Sequence, residues 1–166
     1  VMVGATIQVV SKRVSEDPEH APQTLRQSLE LQTGLGLLLA GTLFGCAPLL
    51  ASKVLLDPLL TPLFRLAAAV VLAYALYTAF VGALNGQQRF RTQARFDMVY
   101  TTMRSGLMIA AAALGFGAVG VFYGFALASW LVMLASAIVV GLGKGGARTP
   151  LGSWLAFMAP LWLYQL

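Results

Sequence analysis

Asp97, Tyr100, Thr101 and Arg104 stand at i, i+3, i+4 and i+7, a spacing that places all four on one face of a helix. An arginine in such a stripe could hold an anionic group, with the hydroxyls and the carboxylate beside it to orient what is bound. The residues that follow give the stripe weight: 39 positions, 105–143, carry no charge. An ionisable side chain inside lipid is costly unless it faces a cavity or a partner. With a helix starting near Asp97, Arg104 lies about 10 Å along its axis. It is then either the wall of a cationic cavity or a side chain that snorkels to the headgroups.

Tyr74, Thr78 and Asn85 fall near one face of the preceding apolar segment. They either face the same cavity or bridge helices by hydrogen bonds. Arg65, three residues after Pro62, stands at the opposite end of that segment, as an interfacial anchor or a second cavity cation. Cys46 is the lone cysteine, so no internal disulfide can form. His20 has no ligand-spaced partner. Three of the six carboxylates lie between 16 and 19, and no acidic pair at helical spacing could hold Mg²⁺. The run "GLGKGGART" lacks the spacing and flanking strand of a phosphate loop. No catalytic constellation, metal site or cofactor is expected.

The elements that must position these side chains follow from composition. The chain is 58% hydrophobic and 10% charged, against roughly 45–50% and 25% in a soluble domain, with a mean hydropathy of +0.79. Too few charges exist to cover a globular surface, so the solvent is lipid. That sets aside a nucleic-acid patch for the basic stretch "LNGQQRFRTQARFD", which reads instead as a connection between spans.

Uncharged windows place the spans, since crossing a ~30 Å hydrocarbon core takes about 20 apolar residues. Glu30 to Lys53 encloses 22, Arg65 to Arg89 encloses 23, and the 39-residue run breaks at "LGFGAVG", where glycine permits a reversal. The expectation is an all-α polytopic membrane bundle in one domain. Its complete spans are about 25–51, 63–86, 97–114 and 120–142, with partial ones at 1–11 and 150–166, as a fragment of something longer. Residues 11–24 read as a polar loop, followed by a capping box of Thr24 and Gln27. Gly41/Gly45, Gly82/Gly86 and Gly120/Gly124 are four apart, a helix-packing signal. Pro48 and Pro62 either end or bend helices.

On this path Lys12, Arg13, Arg26, Arg89, Arg91, Arg95, Lys144 and Arg148 share one side, with Lys53 opposite. By the positive-inside rule, loops 11–24, 87–96 and 143–149 are cytoplasmic.

The loop and helix start "VSKRVSEDPEHAPQTLRQSLELQTGLGLLLAG", and more so "YTAFVGALNGQQRFRTQARFDMVYTTMRSGLMIAAAALGFGAVGVFYGFALAS", resemble the oligosaccharide and polysaccharide-unit flippases of the multidrug/oligosaccharidyl-lipid/polysaccharide exporter superfamily. The likeness covers about residues 1–143. It implies helices two to six of the first of two six-helix lobes, plus the start of the seventh, in a bacterial inner (plasma) membrane. It also implies a second lobe as partner, alternating access, and a polyprenyl-pyrophosphate-linked saccharide as cargo. Arg104 and Arg65 are the positions that would attract the pyrophosphate. A drug or cation exporter of the same fold would place acidic residues within its spans. A membrane transferase would need acidic metal ligands, and a purely structural subunit would have no cavity.

Overall fold

The computed structural model describes residues 2–143. Within them the chain forms five α-helices and no strand: α1 (Met2–Glu16), α2 (Ala21–Leu49), α3 (Thr61–Gly86), α4 (Phe90–Ala113) and α5 (Gly117–Val140). A π-helical turn, Leu50–Val54, and a 3₁₀ turn, Pro58–Leu60, join α2 to α3. Asp57 caps the 3₁₀ turn by accepting from the Leu59 amide, and Pro62 sits in the first turn of α3, where its missing amide is not needed. Pro48 lies two residues before the π-helical segment, which is closed by Leu55 N–H reaching back to Leu50 O.

The helices form two antiparallel hairpins, α2–α3 and α4–α5, with α3 in the middle against α1, α2 and α5. Apolar surface gives little drive for helices to associate in lipid, so close backbone approach has to supply the packing. Gly82 and Gly86 of α3 do this against α1: a Cβ on Gly82 would fall 2.7 Å from Val10 Cβ, and one on Gly86 2.5 Å from Val14 Cβ. A Cβ on Gly124 of α5 would fall 3.0 Å from the Leu107 backbone of α4, and one on Gly36 of α2 would meet Leu72 and Ala75 of α3. A Cβ on Gly41 or Gly45 would meet no other element within 4 Å, so among the described residues that pair does not pack.

Three helical segments are long and apolar enough to cross a membrane: Ala21–Val54, Pro58–Gly86 and Gly117–Val140. The protein is a multi-pass helical membrane bundle, but the expected count of four complete spans is not met. The difference is α4, which carries Arg91, Arg95, Asp97 and Arg104 along with Thr101, Thr102 and Ser105.

Two expected loops are largely helix. The polar segment 11–24 shrinks to a turn, since α1 runs on to Glu16 and α2 already starts at Ala21. Pro22 fits that first turn, which leaves Thr24 inside the helix and removes the capping-box reading. The 87–96 loop shrinks to Gln87–Arg89. There Gln88 takes a left-handed conformation (φ 56°) while Arg89 N–H bonds Leu84 O and Gln88 N–H bonds Asn85 O, the paired bonds that close a helix C-terminus. With the turn complete by Arg89, the helix-favouring residues Arg91, Gln93, Ala94 and Arg95 continue as α4. The glycine turn closes in the same way at Gly115 (φ 78°).

One end of the bundle gathers the basic residues. Lys12 and Arg13 lie near the end of α1, Arg26 near the start of α2, Arg89 in the α3–α4 turn, and Arg91 and Arg95 in the first turns of α4. Gly86 against Val14, and Gly143 against the Pro22 carbonyl and Arg26, hold these ends together. Lys53 and Arg65 are at the other end. The expected span 150–166, the rest of the 143–149 loop, Lys144 and Arg148 lie outside the described residues.

Candidate functional site

Five helices contribute to one cavity of about 320 Å³. Its depth follows from helix rise, about 1.5 Å per residue measured from the basic end. Thr6 is ten residues from the end of α1, Gln32 eleven from the start of α2, Tyr74 twelve from the end of α3, Arg104 fourteen from the start of α4, and Phe125 fifteen from the end of α5. All therefore fall about 15–22 Å from that end. They form one layer near the middle of the bundle.

Arg104 dominates the electrostatics of that layer. Because α4 begins at Phe90, Arg104 lies about 21 Å along its helix and not the 10 Å expected from a start at Asp97. Its guanidinium carbon stands 5.5 Å from the Tyr100 ring centre and 5.8 Å from that of Phe125. Among the described residues no carboxylate pairs with it. Two ring faces stabilise a cation by about 0.5–2 kcal/mol each, depending on desolvation, yet among the described residues no acceptor takes any of its five N–H donors. A half-buried arginine held this way is electrostatically ready for an anion.

The rings themselves are fixed. Tyr74, Tyr77 and Tyr100 stand with centres 6.1–6.3 Å apart, within the range of favourable aromatic contact. Tyr77 donates from its hydroxyl to Asp97 Oδ1 at 2.9 Å, and the Tyr100 hydroxyl lies 3.3 Å from Ser129 Oγ on α5. Across the cavity, Gln32 Nε2 donates to Thr6 Oγ1 at 2.7 Å, joining α2 to α1 inside the bundle.

Of the residues marked from sequence, Arg104, Tyr100, Tyr74 and Thr78 line this cavity. Thr78 donates back to Ala75 O in its own helix. Asp97 is exposed and does not line the cavity; it accepts from Tyr77, whose ring contacts Tyr74 and Tyr100. Thr101 is exposed on α4, Asn85 sits near the basic end, and neither lines the cavity. Arg65 is at the far end, with its guanidinium 5.0 Å from the Phe44 ring. Thus the i, i+3, i+4, i+7 stripe divides, with Tyr100 and Arg104 turned inward and Thr101 outward.

Gln32, Thr6, Phe125, Tyr77 and Ser129 were not singled out from sequence. Gln32 left a usable signal, an amide near the start of an uncharged window, since polar side chains at bundle interfaces find partners. Phe125 left none among so many apolar neighbours. Among the described residues no three His, Cys, Asp or Glu side chains come together as metal ligands.

A family model described as polysaccharide biosynthesis protein matches residues 9–145. No curated protein and no solved structure matches the chain. The match takes in far more than half of the sequence and all of the helices that build the cavity except the first turns of α1, and the chain therefore belongs to the polysaccharide biosynthesis protein family.

Proposed function

We propose that this chain is part of a flippase that moves lipid-linked oligosaccharide or polysaccharide units across a membrane, with Arg104 as the group that receives the anionic head of the cargo. The observation that carries this reading is an arginine with no carboxylate partner among the described residues, lining a cavity halfway along a membrane bundle. Transporters place binding sites near the bilayer midplane, and a charge there is retained for function. A pyrophosphate would accept several charge-assisted hydrogen bonds from the guanidinium, and the low dielectric would strengthen them. The cargo's lipid tail would stay in the bilayer while the head enters between helices.

The concentration of basic residues at one end supports a cytoplasmic assignment for that end, and with it the α1–α2 and α3–α4 turns, in a bacterial inner membrane. A second lobe would complete the cavity, and rocking of the two lobes would alternate its access. A non-transporting structural subunit has no use for a cavity that keeps a cation in its wall. A cation exporter would be served by an acidic wall, whereas Asp97 points away to Tyr77.

The test is transport of a lipid-linked saccharide by the full-length protein in vesicles. Charged hydrogen bonds contribute about 1.5–3 kcal/mol each, so Arg104→Ala is expected to lower transport at least about tenfold with expression intact. Arg104→Lys keeps the charge but not the planar fork and should fall between. Unchanged transport by Arg104→Ala removes Arg104 from the site.

A further inference from the structure

The cavity has a second polar pole. Arg104, Tyr100 and Phe125 come from the α4–α5 hairpin, while Gln32 and Thr6 come from α2 and α1, and Tyr74 of α3 lines the same cavity. Gln32 and Thr6 are only 7% and 5% exposed. The Gln32 amide nitrogen is used on Thr6 Oγ1, but its carbonyl oxygen Oε1 accepts no hydrogen bond among the described residues. Gln32 itself lines the cavity. The bond to Thr6 fixes its amide and leaves Oε1 as the acceptor that this residue has to offer there.

A donor group and an acceptor group in the wall of one cavity, beside aromatic rings, is selective chemistry. Pockets take their orientation from a few placed polar groups on apolar walls. The guanidinium matches an anion. The amide oxygen can take only an O–H or N–H donor, so a second phosphate or carboxylate would be repelled there. A sugar ring fits the space between, since its rim carries hydroxyl or acetamido donors and its C–H face suits aromatic rings.

We propose that Gln32 is a specificity-determining residue: its Oε1 accepts a hydrogen bond from the first sugar of the cargo while Arg104 holds the adjoining pyrophosphate. This rests on the flippase reading above and adds to it a requirement for a sugar next to the phosphate. A bare polyprenyl pyrophosphate would engage one pole only.

The experiment measures equilibrium binding to the full-length protein in nanodiscs. The two probes are a short polyprenyl pyrophosphate, bare and bearing one N-acetylglucosamine. Gln32→Leu is expected to weaken the sugar-bearing probe about tenfold, the effect of one lost hydrogen bond that leaves a donor unpaired. It should leave the bare probe within about twofold, which also shows that the variant is folded. Gln32→Asn, which withdraws the amide by one methylene, should give the same split. Thr6→Val loses the internal bond but keeps the acceptor and should weaken the sugar-bearing probe less than Gln32→Leu.

Equal effects of Gln32→Leu on both probes with the same result for Gln32→Asn, or no effect on either, overturn the proposal. So does a Thr6→Val variant that reproduces the Gln32→Leu split, because Gln32 would then act only by tying α1 to α2. Arg104→Ala separates the two levels. Loss of both probes with no split at Gln32 spares the flippase reading and sinks this one, whereas no loss of either probe sinks the reading beneath it.

Discussion

The packing of α1 on α3 allows a prediction worked from distances. Carbon atoms in contact prefer about 3.5–4.0 Å, and a Cβ added at Gly86 would lie 2.5 Å from Val14 Cβ and 2.6 Å from Ser11 O. The obstacles are a Cβ and a backbone oxygen, neither of which can rotate away, so α1 must shift by about 1 Å or more to admit Gly86→Ala. Overpacking of this kind costs typically 1–3 kcal/mol. Gly82→Ala faces the Cβ of Val10 at 2.7 Å and should cost a similar amount. Gly45→Ala, with nothing within 4 Å, should be neutral or gain up to about 1 kcal/mol from helix propensity.

The assay is the apparent thermal midpoint of the full-length protein in detergent, with all variants measured at one scan rate because such unfolding is often irreversible. Compensation sharpens the test. Val14→Ala keeps the clashing Cβ and should not rescue Gly86→Ala. Gly36→Ala, by contrast, meets Leu72 Cδ1 at 3.0 Å, the far end of a flexible side chain, and Leu72→Ala should rescue it in part. A Gly86→Ala variant as stable as Gly45→Ala would refute the close approach of α1 and α3. So would full rescue by Val14→Ala.

Three further outcomes are expected. Tyr77→Phe removes the donor to Asp97 and should cost about 0.5–1.5 kcal/mol; Asp97→Asn should not add its full effect in the double variant, and strict additivity would show that the bond is not formed. In the α1–α2 turn the Asp17 carboxylate accepts from the His20 ring and raises the His20 pKa above its ordinary 6.5, while His20 holds Asp17 below its ordinary 3.8. The histidine contribution is complete below pH 6.5 and lost as pH rises through the folded midpoint; the aspartate contribution is present above pH 3.8 and lost on acidification through its own. An NMR titration of His20 should therefore show a raised midpoint that Asp17→Asn returns towards 6.5, and an unshifted midpoint would rule out the pairing. For orientation, Gln88→Cys in a Cys46→Ser background should be shielded from an impermeant thiol reagent added outside; labelling from outside would reverse the topology.

Legibility in the sequence differed by element for physical reasons. The glycine turn was legible because Gly115 is the residue type that left-handed backbone favours, and it takes that conformation. The turn before α4 was not, because a glutamine, Gln88, does the same work. Without a glycine there, the spacing predicts a loop to Phe96 and a helix start two turns late. That single displacement also halves the distance of Arg104 along its helix, about 10 Å expected against about 21 Å found. The stripe on α4 was legible as a face. Which of its members turn inward was not, because that depends on how α4 rolls against α5, set by the close contact of Gly124 with the Leu107 backbone.

The composition of α4 connects these points. Charge counting and hydropathy disagree about it: a window with few charges suggested a span, while Thr101, Thr102, Ser105 and Arg104 keep it from being apolar enough to face lipid all round. Its apolar contacts are mostly with α5, and it touches α3 only lightly, so the Thr101, Thr102 and Ser105 side is left exposed. A helix of this kind that crosses a bilayer must turn such a face to protein or water, since lipid satisfies no hydroxyl. The adjoining face lends Arg104 and Tyr100 to the cavity. The residues that make α4 a poor lipid-facing span thus lie partly in the cavity wall and partly beside it. That is the composition a helix needs when it stands between a binding cavity and a second polar surface, and it is the helix on which a transport function would place the greatest demands.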